Sequence, residues 1–337
     1  MSQKPTLETV AKEAGVSVPT VSQVMRGTGR ISESTRQKVL QAASRLHYVP
    51  NARAAAMRSG QSREIGFLIN QLANPFNAEV VSGVVDLLEG EGYLVSVLDT
   101  RDDTSRQDRQ LEAFIRHGRA GLLWVPTTET QREAVELIAA HGIPTVTFLR
   151  HLHRDVDHVG IHNADATELA TGYLADLGHR HIAYLGGTDL TVVRRERIAG
   201  YKKAMVQRGL SPNVVWDCDD NKLAGLEAMQ DLHRSHPEIT AIVANGDMVA
   251  LGASLGLTRA GLIPGQDVSI VGFDDIQDAA VATPPLTTMS VHPHKLGRKL
   301  ARALLDRIAE PDMPATVSEV AAELIVRETS GPPSSQI

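Results

Sequence analysis

Apolar residues recur at helical spacing at the front of this chain and in short, unbroken, β-rich runs after it. Leu7, Val10, Ala11 and Ala14 share one face of a helix. Thr6 is placed to cap that helix, with Glu8 in its first turn, and Gly15 to end it in a tight turn. Ser17 caps a second helix, where Pro19 falls in the first turn and its missing N–H costs little. Val16, Val21 and Val24 can face the first helix, which leaves Val18, Pro19, Thr20, Ser22, Gln23 and Arg26 outward. A third helix is predicted from Ser32 to about Leu46, with Val39, Ala42, Ala43 and Leu46 closing a small core. Two short helices joined by a glycine turn form a helix-turn-helix, whose second helix enters the major groove of DNA.

From residue 64 the pattern changes. Strand candidates are EIGFLIN (64–70), YLVSVLD (93–99), AGLLWV (120–125), PTVTFL (144–149), HIAYLGG (181–187), AIVAN (241–245) and VSIVGFD (268–274), with amphipathic helices between them. This alternation predicts parallel sheets with crossover helices. The pattern restarts near Gly160, which predicts two doubly wound subdomains. Open parallel sheets bind ligands outside the carboxyl ends of their strands. The residues to inspect are therefore Asn70 to Phe76, Gly186 and Gly187 with Arg194, Arg195 and Arg197, Gly246 and Asp247, and Asp274 and Asp275.

Charge divides the chain in the same way. Residues 1–60 hold nine Lys/Arg against three acids, a net of +6, and the remainder holds 25 against 37, a net of −12. A basic head suits phosphate neutralisation, and an acidic body stays off the DNA. Cys218 is the only cysteine, so no intrachain disulfide can form. No apolar run approaches the ~20 residues a membrane helix needs, and MSQKPTLETV lacks the core of a secretory signal. The expectation is a cytoplasmic, nucleoid-associated protein with no membrane partner.

The front segment resembles the LacI family of bacterial repressors through Thr9-Val10-Ala11, Ala14-Gly15-Val16-Ser17, Thr20-Val21-Ser22, Arg36, Val39 and Tyr48-Val49-Pro50-Asn51, and the resemblance runs from residue 6 to about 330. GVSVPTVSQVMRGTGRIS and RRERIAGY are most similar to the maltose-system members. The resemblance implies an all-α helix-turn-helix headpiece plus an α/β body of two doubly wound parallel-sheet subdomains of periplasmic-binding-protein-like type. The headpiece spans 1–49, a hinge helix or linker 50–60, and an effector-binding and dimerisation domain 61–330. In that domain the N-subdomain takes about 61–160 plus 293–322 and the C-subdomain about 161–292 plus 323–330, before a disordered tail at 331–337.

It also implies residue roles. Val18, Pro19 and Gln23 fall at base-reading positions, and Thr20, Ser22 and Asn51 at phosphates. Thr6, Ser17, Arg26, Tyr48, Arg53, Ala54 and Met57 complete the expected DNA-contacting set. Gln23 can pair bidentately with adenine, whereas Val18 and Pro19 offer only apolar contact, so DNA shape is expected to carry part of the specificity. Met57 stands at the minor-groove wedge position, where leucine is usual, and Arg53 is within reach of phosphate or a narrow minor groove. Asn51 to Met57 form a helix too short to be stable alone.

The implied effector set is Asn70, Leu72, Phe76, Arg150, Arg197, Gly246 and Asp274. Phe76 would stack on a ring, Arg197 would fork onto hydroxyls or a carboxylate, and Asp274 would accept from hydroxyls. Asp247 and Asp275 are expected to cap helices. His162 and Gly246 depart from the family's usual Asp and Asn.

The resulting expectation is a repressor that binds palindromic operator DNA as a homodimer, or as a tetramer, under a sugar-like effector. The rivals are an effector-independent DNA-binding regulator with a vestigial ligand site and an α/β enzyme. No nucleophile elbow or metal motif supports the enzyme, and Gly186-Gly187 lacks the Gly-Lys-Ser/Thr of a nucleotide loop. The His151, His153, Asp155, Asp157, His158 and His162 run holds metal-ligating residue types, which leaves a metal site open, but no pair has i, i+4 spacing within a clear helix and the types alternate as on a solvated strand or loop. No cofactor, metal or catalytic residue is expected.

Overall fold

The structure is a computed structural model that describes residues 4–51, 62–188 and 191–334. The chain divides into two units between Ser62 and Arg63. The first unit holds α1 (Leu7–Ala14), α2 (Val18–Arg26) and α3 (Glu33–Arg45). Local chemistry sets five of the six helix ends. The Thr6 hydroxyl accepts from the Thr9 N–H at 3.2 Å, and the Thr9 hydroxyl accepts from the Thr6 N–H at 2.8 Å, a reciprocal cap. Ser17 and Ser32 cap α2 and α3 through Thr20 and Thr35 N–H. Gly15 and Gly27 end α1 and α2 in the left-handed region, both at φ 66°, where a side chain would be strained. Val10, Ala11, Val21, Val24, Val39, Ala42 and Ala43 are buried together, with Leu46 and Tyr48 packed on them.

The second unit alternates strands and helices. In order these are β1 (Glu64–Ile69), α4 (Pro75–Gly90), β2 (Leu94–Asp99), α5 (Thr104–Arg116), β3 (Gly121–Trp124), α6 (Arg132–Ala140), β4 (Thr145–Phe148) and β5 (Asp157–Ile161). Then come α7 (Asn163–Asp176), β6 (Ile182–Leu185), α8 (Val192–Gln207), β7 (Val215–Trp216), α9 (Lys222–Ser235), β8 (Ala241–Ala244) and α10 (Asp247–Arg259). The chain closes with β9 (Ser269–Asp274), α11 (Gln277–Val281), β10 (Thr287–Ser290), α12 (Pro293–Ala309), β11 (Val317–Val320) and β12 (Glu323–Ile325).

Two six-stranded sheets result, in the orders β11-β5-β4-β3-β1-β2 and β12-β10-β9-β8-β6-β7. All pairings are parallel except β10 with β12. Each sheet repeats the doubly wound 2-1-3-4-5 order, whose ligand crevice opens at the switch point beside its first strand. The chain passes between the sheets three times, at Ile161–Asn163, Ser290–Pro293 and Val320–Glu323. Glycines let the covering helices touch by backbone. A Cβ on Gly83 would lie 2.0 Å from the His294 carbonyl, and one on Gly297 would lie 2.0 Å from that of Val80, across α4 and α12.

Two expectations are corrected. The His/Asp-rich run is not a solvated strand or loop throughout: β5 sits inside its sheet between β4 and β11, with Asp157 and His158 buried. Arg307 holds the Asp157 carboxylate bidentately at 2.6 and 3.0 Å, and the Thr316 N–H adds a third bond at 2.6 Å. His158 lies 3.0 Å from the Thr147 hydroxyl, and burial, with His151 alongside, lowers its pKa to about 4. The start of the tail is likewise not disordered. The Gly331 N–H donates to the Ser269 hydroxyl at 3.1 Å, and the Ser334 hydroxyl donates to the Gln266 carbonyl at 2.5 Å. Residues 335–337 lie outside the described residues.

Candidate functional site

In the first unit α2 presents the outward set. Val18 and Pro19 are exposed on its first turn, Gln23 is half-buried one turn on, and Arg26 is exposed at its end. The Ser17 and Thr20 hydroxyls are 2.9 Å apart, and Arg26 Nε donates to the Ser22 carbonyl at 3.1 Å. The Gln23 amide lies against Gly29, where a Cβ would come within 2.9 Å of its oxygen. Thr6 is committed to its cap, Tyr48 packs on the headpiece core, and Asn51 is exposed. Arg53, Ala54 and Met57 lie outside the described residues. A short two-helix corner thus carries apolar and amide groups at its N-terminal end and a cation at the other.

In the second unit a cleft opens where strand ends of the two sheets face one another. Its inner cavity, about 100 Å³, is lined from the first sheet by Asn70, Gln71, Asn74, Phe76, Asn77, Leu149 and Arg150. The second sheet contributes Thr191, Val193, Arg197, Asp220, Asn245, Gly246, Met248 and Asp274. An outer compartment of about 710 Å³ shares Asn70, Gln71, Arg150, Thr191 and Asp220 with it and adds Leu72, Asp99, Arg101, Asp102 and Asp219. Its size falls in the roughly 300–1,000 Å³ range of small-molecule sites. Every residue of the expected effector set therefore lines this cleft. Asn70, Leu149, Asn245 and Asp274 stand at or just past strand ends, where the fold rule puts ligands.

The first-sheet wall carries four amides, an aromatic ring and one paired arginine. Asn77 is buried and donates to the Asn70 side-chain oxygen at 3.2 Å and to the Gln71 carbonyl at 2.8 Å. Phe76 is 4% exposed, and one face of its ring lies against Phe148, centroids 6.3 Å apart. Arg150 is held by Asp102 at 2.5 and 3.0 Å and donates to the Pro126 carbonyl at 2.9 Å. Leu149 takes φ 61°, a strained conformation that turns the chain into the cleft.

The second-sheet wall is charged. Arg197 is 5% exposed. Its guanidinium lies over Phe273 at 3.5 Å, its Nε donates to Asn163 at 3.0 Å, and its Nη1 donates to the Asn245 carbonyl. Part of the fork expected for a ligand is thus taken up by the protein. Arg194 is turned away, its Nε on the Gly186 carbonyl at 2.9 Å and its Nη2 on Asp217. Its side chain fills the space beside Gly187, so the glycine pair forms no phosphate cradle.

Two acids, Asp220 and Asp274, lie close enough to Arg197 to feel its charge. Asp220 accepts from the Asn245 amide at 2.8 Å, and burial raises its pKa. Burial also pushes Asp274 well above the usual carboxylate range, against the pull of Arg197. Asp274 adopts φ 117°, an unusual backbone for a non-glycine residue.

Two expected caps are corrected. Asp247 is the first residue of α10 and has Gly246 as its cap. It is fully buried, accepts from Thr288 Oγ1 at 2.5 Å and from the Ile276 N–H at 2.9 Å, and is pushed up to about 7 by burial. Asp275 pairs with Arg327 at 2.6 Å. Asp220 and Asn77 are cleft residues that the sequence did not single out. Asp220 follows the two-residue β7, too short to register as a strand, and Asn77 lies on a helix.

A family profile described as "Bacterial regulatory proteins, lacI family" matches residues 6–51, and one described as "Periplasmic binding protein-like domain" matches residues 171–330. The chain is 32% identical over 336 residues to the maltose regulon regulatory protein MalI of Escherichia coli (strain K12), across 96% of this chain and 98% of that protein. Among solved structures it is similar to a transcriptional regulator CelR–cellobiose complex, at 30% identity and TM-score 0.74, covering 96% of this chain and 99% of that one. It is also similar to a lac repressor dimer bound to operator and the anti-inducer ONPF, at 28% identity and TM-score 0.86, covering 98% and 100%. With its helix-turn-helix and its two parallel sheets around a cleft, the chain belongs to the LacI family of DNA-binding transcriptional regulators.

Proposed function

We propose that this protein is a cytoplasmic repressor that reads a palindromic operator as a homodimer and is switched by a small polyhydroxylated effector in the cleft. The observation that carries this is the cleft itself: amide groups of one sheet face a buried arginine and carboxylates of the other, the donor and acceptor mixture that hydroxyls require. The cellobiose complex and the operator-bound dimer among its structural relatives support both halves of the reading. A groove that sets the exposed Leu255 and Val281 beside the Lys222–Asp278 ion pair supports a second copy of this chain as partner.

Residues 1–49 serve as the reading head, 50–60 as the connection and 61–330 as the effector and dimerisation body. No helix among the described residues is long and apolar enough to cross a membrane. The proposed switch is linkage. The Glu79 carboxylate on α4 accepts from the Gln277 N–H at 3.2 Å, joining one wall to the other beside the cleft. A ligand that prefers one setting of the two walls shifts the population that binds DNA, and a coupling of roughly 1–3 kcal/mol suffices.

The test is a gel-shift titration on the DNA upstream of the protein's own gene, with full palindrome and single half-site duplexes, with and without added sugars. Full-site binding well above half-site binding, altered by at least one sugar, is expected. Absence of palindrome binding in every condition overturns the repressor reading, and binding indifferent to every sugar favours an effector-independent regulator.

A further inference from the structure

The cleft carries more acid than it can neutralise. Among the described residues the lining acids of both compartments are Asp99, Asp102, Asp219, Asp220 and Asp274, and the lining cations are Arg101, Arg150 and Arg197. Two of those cations are already in ion pairs: Arg101 lies 3.8 Å from Asp99, and Arg150 grips Asp102 bidentately. The third, Arg197, is the only lining cation with no carboxylate partner of its own among the described residues, and its Nε and Nη1 serve Asn163 and the Asn245 carbonyl. Asp220 and Asp274 face the inner cavity with no ion pair among the described residues, and the buried carboxyl of Asp247 lies near Asp274. Arg194, the remaining arginine near this wall, is directed to Asp217.

We propose that this cleft selects a polyol without negative charge and rejects the phosphate ester of the same sugar. This rests on the reading of the cleft as the effector site. A phosphate group brings about 1.5–2 negative charges, and seating it means stripping its water and placing it beside carboxylates in a medium of low dielectric. Phosphate sites supply the opposite: an unengaged arginine fork, a lysine, or a glycine turn with free N–H groups. Here Arg150 is gripped bidentately by Asp102, two of the three Arg197 nitrogens serve protein oxygens, Arg101 stands exposed beside Asp99, and the glycine turn at Gly186 and Gly187 is filled by Arg194. Hydroxyls make no such demand, since they donate to Asp220 and Asp274 and accept from the amides of Asn70 and Gln71.

Isothermal titration of the full-length protein with matched pairs tests this: glucose and glucose 6-phosphate, maltose and maltose 6′-phosphate, trehalose and trehalose 6-phosphate, cellobiose and its 6-phosphate. In any pair that binds, the neutral sugar is expected to bind at least tenfold tighter. Asp220→Asn, checked for an unchanged fold by circular dichroism, should narrow that ratio at least threefold. Inorganic phosphate at 10 mM should raise Tm no more than sodium chloride of equal ionic strength. An ester that binds as tightly as its parent sugar, or a ratio indifferent to Asp220→Asn, overturns the charge rule while leaving the effector site standing. Failure of every sugar and every ester to bind overturns the effector reading and the charge rule with it.

Discussion

The two walls of the cleft are built on sheets of one strand order, yet they are chemically unlike. In the inner cavity the first presents mainly amides, with Asn70 and Gln71 at the end of β1 and Asn77 behind them, and its charges are paired in the Arg150–Asp102 bridge and in Arg101 beside Asp99 toward the outer compartment. The second presents a buried arginine beside two carboxyls, Asp220 and Asp274, with the buried Asp247 next to Asp274; Arg197, Asp220 and Asp247 are each held by a neighbour from another element. Identical topology therefore supplies the position of a site and not its chemistry. Topology decides which residues stand at strand ends, and the identity of those residues decides what can be paired there. The charged wall is the costly one, because each buried ion depends on the others to offset lost hydration. The amide wall loses little when opened to water, which suits a surface that must alternately engage and release.

That contrast sets the expected scale of mutational effects. Arg197→Ala removes two charge-assisted hydrogen bonds and the cation over Phe273, worth together about 3 kcal/mol or more. Effector response should fall by at least ~100-fold while effector-free operator affinity stays within ~3-fold, as titration calorimetry and gel shift would show. Equal loss of both would mean that the wall supports the whole body and not the ligand.

Asp247→Asn probes the carboxyl behind the wall through pH. Its folded-state pKa is raised from the ordinary 3.8 to about 7. The native state thus keeps a proton that the unfolded chain releases, so the contribution of this group to stability is greatest below about pH 4, declines as pH rises to about 7 and is flat above. The asparagine variant, which can still accept from Ile276 and donate to Thr288, should flatten that slope and be relatively more stable at pH 8. Urea midpoints at pH 5 and 8 measure it, and an undiminished slope would assign the proton elsewhere.

On the amide wall, Asn70→Ala should weaken effector binding only about 3- to 10-fold, the range of one or two neutral hydrogen bonds. A loss as large as that of Arg197→Ala would erase the distinction between the walls. Smallest of all, Glu79→Ala releases the exposed bond to Gln277 between the walls and should shift effector affinity about 2- to 3-fold, with little change in Tm.

The headpiece was almost wholly legible in the sequence, because its boundaries are local: Thr6, Ser17 and Ser32 act on N–H groups three residues away, and Gly15 and Gly27 act on their own φ angles. The apolar strands of the body were legible for a similar reason. β5, β7, β10, β11 and β12 were not, since their polar or very short stretches become strands only through partners distant in sequence, such as Arg307 for Asp157. Asp220 stayed hidden behind β7, and Asp247 read as a helix cap because nothing local reveals that Thr288 and Ile276 converge on it.

The sequence by itself determined the headpiece helices and their outward residues, the apolar strands of the body, the acidic and basic halves, and the strand-end positions where a ligand would meet the fold. Periodicity, capping and charge depend on near neighbours, and a linear string displays those. Only the tertiary structure decided which cations are already engaged, which acids are buried without one, and how much charge the cleft carries. Desolvation and pairing depend on groups that the fold brings together from some 80 positions apart, as it does in setting Asp274 beside Arg197.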